Sequence, residues 1–90
     1  MEKAKQRPVH EVTLAFNSAI LKASIWKHQS GKEPPRFTVS FSRGYRPKDG
    51  TKWIFTDFFS RDELLGLSRI AEVSHGWIVS SDVSEGAKHE

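Results

Sequence analysis

The stretch FTDFFSRDELLGLSRI, residues 55–70, decides how this chain folds. Up to Phe59 the apolar residues come in short strand-like runs; from Ser60 they return at helical spacing. Ser60 and Glu63 match a capping box, in which each side chain satisfies a backbone N–H left unpaired by the first helical turn. Phe59 and Leu64 occupy the two positions of a hydrophobic staple. Asp62 and Glu63 place negative charge at the positive end of the helix dipole. Leu64, Leu67, Ile70, Ala71, Ser74, Trp77 and Ile78 form one stripe, so the spacing predicts a helix from about Arg61 to near Val79. Gly76 falls inside it at a cost of about 1 kcal/mol relative to Ala. It either marks the helix end or serves a close helix–sheet contact.

Upstream, the period is two. Val12, Leu14 and Phe16 alternate with Glu11, Thr13 and Ala15, and Asn17-Ser18 supplies turn chemistry. Leu21, Ala23 and Ile25 then alternate with Lys22, Ser24, Trp26 and His28, which completes a hairpin. Gln29–Pro35 reads as a loop, because Gly31 and Pro34-Pro35 do not fit a ladder. In Arg36–Arg43, Phe37, Val39 and Phe41 share one face, while Arg36, Thr38, Ser40 and Ser42 share the other. Pro47 with Asp49-Gly50 suits a turn with a left-handed glycine. Thr51–Phe59 reads as a fourth strand, apolar on both faces, so either face can look inward. The expected fold is α+β: a four-stranded antiparallel sheet followed by one C-terminal helix packed on one face, ββββα. One domain is expected over residues 9–80, with residues 1–8 and 81–90 as flexible tails.

Ninety residues make one small domain with little room for a deep catalytic cleft. The chain has no cysteine, hence no disulfide framework, thiolate nucleophile or cysteine-based zinc site. His10, His28, His75 and His89 lack metal-site spacing, no nucleophile elbow occurs, and the glycines are not grouped into a phosphate loop. The reading is therefore a non-enzymatic protein with no cofactor and no metal. Apolar runs are too short to span a membrane, and Met1–Pro8 is charged where a signal peptide needs an apolar stretch. A cytoplasmic module is expected.

Charge is unevenly placed. Residues 20–52 hold Lys22, Lys27, Lys32, Arg36, Arg43, Arg46, Lys48 and Lys52 against only Glu33 and Asp49, whereas residues 53–90 are net acidic. A basic middle favours an anionic partner. One helix covers one face of a sheet, and the face left open would carry hydroxyls, cations and a tryptophan. Lys22, Lys27, Arg36, Arg43 and Lys52 are the candidate phosphate contacts, and Trp26 with Trp53 the candidate base-stacking rings, for single-stranded DNA or RNA. Phe55 extends that platform if it points outward with Trp53. Trp26 has a second reading, as a ring half-buried against neighbouring strands or a dimer partner. Tyr45 beside Arg43 is either a stacking pair or a turn anchor. Six Phe, three Trp and one Tyr exceed what one helix can cover, so the alternative function is a protein-interaction or homodimeric assembly module.

The blocks Ile25-Trp26, Phe41-Ser42-Arg43-Gly44-Tyr45, Lys52-Trp53, Asp62-Glu63-Leu64 and Ser74-His75-Gly76-Trp77-Ile78 resemble a group of small bacterial proteins that has no assigned activity. In element order the chain also resembles the single-stranded-DNA-binding transcriptional regulator fold of positive cofactor four and the plant Whirly proteins. That second resemblance implies a homodimer whose curved sheets present basic and aromatic residues to single-stranded DNA, in a transcription-related role. The diagnostic motifs of that family are absent from this sequence.

Overall fold

The computed structural model describes residues 7–16, 18–48, 50 and 52–88, with only the backbone course at 82–88. Four strands precede one helix: β1 (His10–Phe16), β2 (Ala19–His28), β3 (Arg36–Tyr45), β4 (Ile54–Thr56) and α1 (Glu63–Lys88). The strands form one antiparallel sheet in sequence order, so the ββββα architecture is as expected. Val12 faces Ala23 and Ile25 faces Val39, which places the apolar parity of three strands on one side. Leu21, Ala23 and Ile25 are fully buried there. Ile70 of α1 closes over Leu21 and Ala23, with Leu14, Phe16, Val39, Phe41, Phe59 and Leu67 packed around. At the far end Trp77 stacks on His10, with centroids 4.7 Å apart and planes 3° from parallel, and meets Phe37 edge-on at 6.2 Å.

Several expectations are corrected. The fourth strand is three residues long, not Thr51–Phe59. Trp53 precedes it, and after Thr56 the chain leaves β3 to reach the helix, with the Phe58 N–H donating to Thr56 Oγ1 at 3.2 Å. The helix runs to Lys88, past the expected end near Val79, because no proline after Val79 breaks its polar continuation. Of the expected tails, 81–88 is therefore helical, and residues 1–6 and 89–90 lie outside the described residues. Asn17, proposed for the hairpin turn, and Asp49 and Thr51 also lie outside them; the hairpin itself forms, with Phe16 facing Ala19. The Gly50 N–H closes a turn onto the Pro47 carbonyl at 3.1 Å, and Gly31, in the loop between β2 and β3, has a left-handed backbone at φ 56°.

The helix also sits differently from its expected stripe. Leu64 is half-exposed, whereas Glu63, Gly66, Ile70 and Ser74 are buried against the sheet. Gly66 causes this. A Cβ there would lie 2.5 Å from Leu21 Cδ1 and 3.3 Å from Leu14 Cδ2, so the missing side chain is what lets helix and sheet approach. Gly76 is exposed, with nothing within 4 Å of where its Cβ would be, and it neither ends the helix nor serves a contact.

Ser74 is buried and its hydroxyl has no hydrogen-bond partner among the described residues. An unpaired buried hydroxyl forfeits its hydration, and Ser is also a weaker helix former than Ala. Ser74→Ala is expected to stabilise the protein by about 1 kcal/mol. Urea denaturation will show this as a raised midpoint at unchanged slope.

Candidate nucleic-acid interface

Strand alternation, not proximity in sequence, decides which of the candidate residues meet. Lys22, Trp26 and Arg36 have the parity of the face that α1 leaves open, together with Glu11, Thr13, Ser24, Thr38 and Ser40. Lys27 and Arg43 have the opposite parity: Lys27 faces Phe37 and Arg43 faces Leu21, on the helix side. The seven candidates therefore do not form one patch. Lys22, Trp26 and Arg36 share the open face, Lys52 and Trp53 are exposed in the connection before β4, and Lys27 and Arg43 belong to the other side.

Trp26 is half-buried on the open face. Its indole N–H donates to Ser40 Oγ at 3.0 Å across to β3, and beside it His28 Nε2 shares a 2.9 Å hydrogen bond with Thr38 Oγ1. These cross-strand bonds fix the polar edges of both rings. Arg36 stands opposite His28 and completes this end of the face.

A second group of rings and cations lies at the other end. Phe55 faces Gly44 across the β3–β4 ladder, and a Cβ on Gly44 would come within 2.6 Å of that ring. The glycine thus gives the phenyl ring a seat over the strand. Lys22 Nζ sits 5.5 Å from the centre of the same ring and 3.9 Å from Glu11 Oε2. The Arg46 guanidinium lies 5.1 Å from the centre of the Trp53 ring, and Arg46, Lys48 and Lys52 are all exposed in this connection. Lys22 and Trp26 are four residues apart on β2, which separates the two ends by about 13 Å. The outward placement of Phe55 resolves the ambiguity of the fourth strand: Phe55 lies with Gly44 on the open face, and Ile54 and Thr56 have the parity of Tyr45 and Arg43.

Arg46 is not among the expected phosphate contacts, and Phe55 is expected on the platform only if it points outward. For Phe55 the available signal is Gly44, because a glycine inside a strand marks a place where a neighbouring group comes close.

Arg43 has a different task. Its Nε lies 2.8 Å from Glu63 Oε1 and 2.9 Å from Oε2, and its guanidinium sits 5.0 Å from the centre of the Tyr45 ring. The β2–β3 register runs unbroken through Arg43 and Tyr45, which keep the helix-side parity, and Arg43 anchors the end of β3 to the helix start. Glu63 simultaneously accepts the Ser60 backbone N–H at 2.9 Å, while its own N–H donates to Ser60 Oγ at 3.4 Å, so the capping box is formed. The Ser60 backbone N–H, helped by the Arg43 guanidinium and the Ser60 hydroxyl, holds the Glu63 carboxyl below its usual range against the opposing effect of burial. This arrangement ties sheet to helix and leaves Arg43 committed.

Among the described residues, no three His, Cys, Asp or Glu side chains gather as a metal site, and no helix is long and apolar enough to cross a membrane. Neither family models, nor the curated proteins, nor the solved structures provide a match to this chain.

Proposed function

We propose that this protein is a non-enzymatic, cytoplasmic module that binds single-stranded nucleic acid, DNA in the first instance, on the open face of its sheet. The observation that carries the reading is the composition of that face: a ring and a cation at each end, Trp26 with Arg36 and Phe55 with Lys22, separated by hydroxyls. Bases in a single strand expose their π-faces, and its phosphates need a basic track. Trp26 and Trp53 would stack bases, while Lys22, Arg36, Arg46 and Lys52 would neutralise phosphates. Lys27 and Arg43 drop out of the contact set, because they face the helix side.

Titration of a short single-stranded oligodeoxynucleotide, followed by tryptophan quenching, tests this. With three or four phosphates neutralised, the log–log salt slope should be about −2 to −3. Trp26→Ala should weaken binding by roughly 5- to 150-fold, the equivalent of about 1–3 kcal/mol of stacking. Unchanged affinity in a folded Trp26→Ala protein would remove the stacking role.

A second reading, a protein-interaction or assembly module, is favoured by one different observation. Ile54, Phe58, Leu64 and Leu65 are large apolar side chains at 42, 78, 51 and 75% exposure, and such groups usually meet a partner.

A further inference from the structure

We propose that two copies of this chain pair edge to edge through β3, with Val39 directly opposite the partner's Val39. The reason is the shortness of β4. It pairs only with Arg43, Gly44 and Tyr45, so the outer side of Arg36–Ser42 has no backbone partner among the described residues. An open edge normally carries a protective charge, proline or bulge. Residues 37–42, Phe-Thr-Val-Ser-Phe-Ser, carry no charge and no proline.

The edge is complementary to itself. In antiparallel pairing centred on Val39, Phe37 meets the partner's Phe41, Thr38 meets the partner's Ser40, and Arg36 meets the partner's Ser42. Aromatic faces aromatic, hydroxyl faces hydroxyl, and no like charges oppose, and each such pair favours a ladder. The other edge, β1, is less open to an added strand: it carries Glu11, and α1 lies mainly over β1 and β2. The helix lies less over β3 than over β1 and β2, so Phe37, Val39 and Phe41 on the helix-side flank of β3 are apolar and only half-buried.

The pairing also does something for the open face. The two-fold axis runs perpendicular to the sheet, so both open faces look the same way and join. With strands about 4.8 Å apart, the two Trp26 rings come to roughly 16 Å from each other across the seam, with the Thr38 and Ser40 hydroxyls between them. One continuous surface then holds two rings and two Arg36 side chains. The pairing stands independently of the nucleic-acid reading, and it is measured on protein alone.

The chain has no native cysteine, so single cysteines report the register cleanly. Opposed antiparallel positions have Cα atoms about 4.5–5.5 Å apart, inside disulfide range. Light scattering over rising concentration should give twice the 10.2 kDa chain mass. Val39→Cys should oxidise to a covalent dimer by itself. Because Val39 packs on the core, a second pair of variants at exposed positions guards the test: Thr38→Cys and Ser40→Cys should cross-link when mixed and not when alone. Ser42→Arg sets like charges opposite each other at both ends of the seam and should weaken the dimer by about tenfold or more. A single-chain mass at every concentration overturns the proposal. So does a dimer in which Thr38→Cys alone cross-links as readily as Val39→Cys, or one that Ser42→Arg leaves intact.

Discussion

Gly66→Val is expected to destabilise the protein by about 2–3 kcal/mol, whereas Gly76→Ala, ten residues further along the same helix, is expected to stabilise it by about 1 kcal/mol. Both substitutions relieve the backbone freedom that glycine carries in a helix. Only the surroundings differ. At position 66 the new atoms meet Leu21 Cδ1 at 2.5 Å and Leu14 Cδ2 at 3.3 Å, and Leu21 is fully buried and cannot swing clear. Overpacking then forces the helix away from the sheet or the leucine off its rotamer. At position 76 the added methyl meets nothing within 4 Å, so the helix-propensity gain is realised in full. For a domain of this size, about 1 kcal/mol corresponds to roughly 4–8 °C in Tm, so calorimetry should separate the two variants widely and with opposite signs. Equal shifts would mean that the helix does not approach the sheet through Gly66.

Glu63→Ala is expected to cost about 2–4 kcal/mol. It removes a capping-box partner, worth about 0.5–2 kcal/mol, and leaves the partly buried Arg43 guanidinium without its carboxylate. The pH dependence follows from the same contacts. The Glu63 carboxyl is held below its ordinary 4.5 in the folded protein. Its stabilising contribution is therefore complete above that value and is lost as the pH falls through the lower folded value. Glu63→Gln keeps the shape and lacks the titration. Thermal melts between neutral and acid pH should show the native protein losing more stability on acidification than Glu63→Gln does, with the two curves converging at the acid end. Parallel curves would mean that Arg43 and Ser60 do not act on Glu63.

Strands β1 to β3 were legible because each has one buried face, and burial imprints a strict alternation on Val12–Phe16, Leu21–Ile25 and Phe37–Phe41. The helix start was legible because Ser60 and Glu63 are a local device whose partners are three residues apart. The fourth strand was not. Both of its faces are apolar, and what stops it after Thr56 is the departure of the chain toward α1, a tertiary event. The helix passes its expected end because the mostly polar stretch after Val79 contains no proline, and polarity alone does not stop a helix.

The candidate site was legible in part. Lys22, Trp26 and Arg36 follow from parity alone. Charge favours Lys27 and Arg43, but parity sets both on the helix side, and for Arg43 the decisive partner, Glu63, is twenty residues away. Gly66 carried a readable signal, since it stands four residues before Ile70 and eight before Ser74, in line with the buried stripe.

The most direct test of the central claim is an amide and indole chemical-shift titration of the isotopically labelled protein with a short single-stranded oligodeoxynucleotide at low salt. The account predicts that the Trp26 indole N–H and the amides of Lys22, Ser24, Thr38 and Ser40 move saturably and return as salt is raised, while those of Ile70 and Ser74 stay still. Shifts confined to the helix, or none at any ratio, would contradict it.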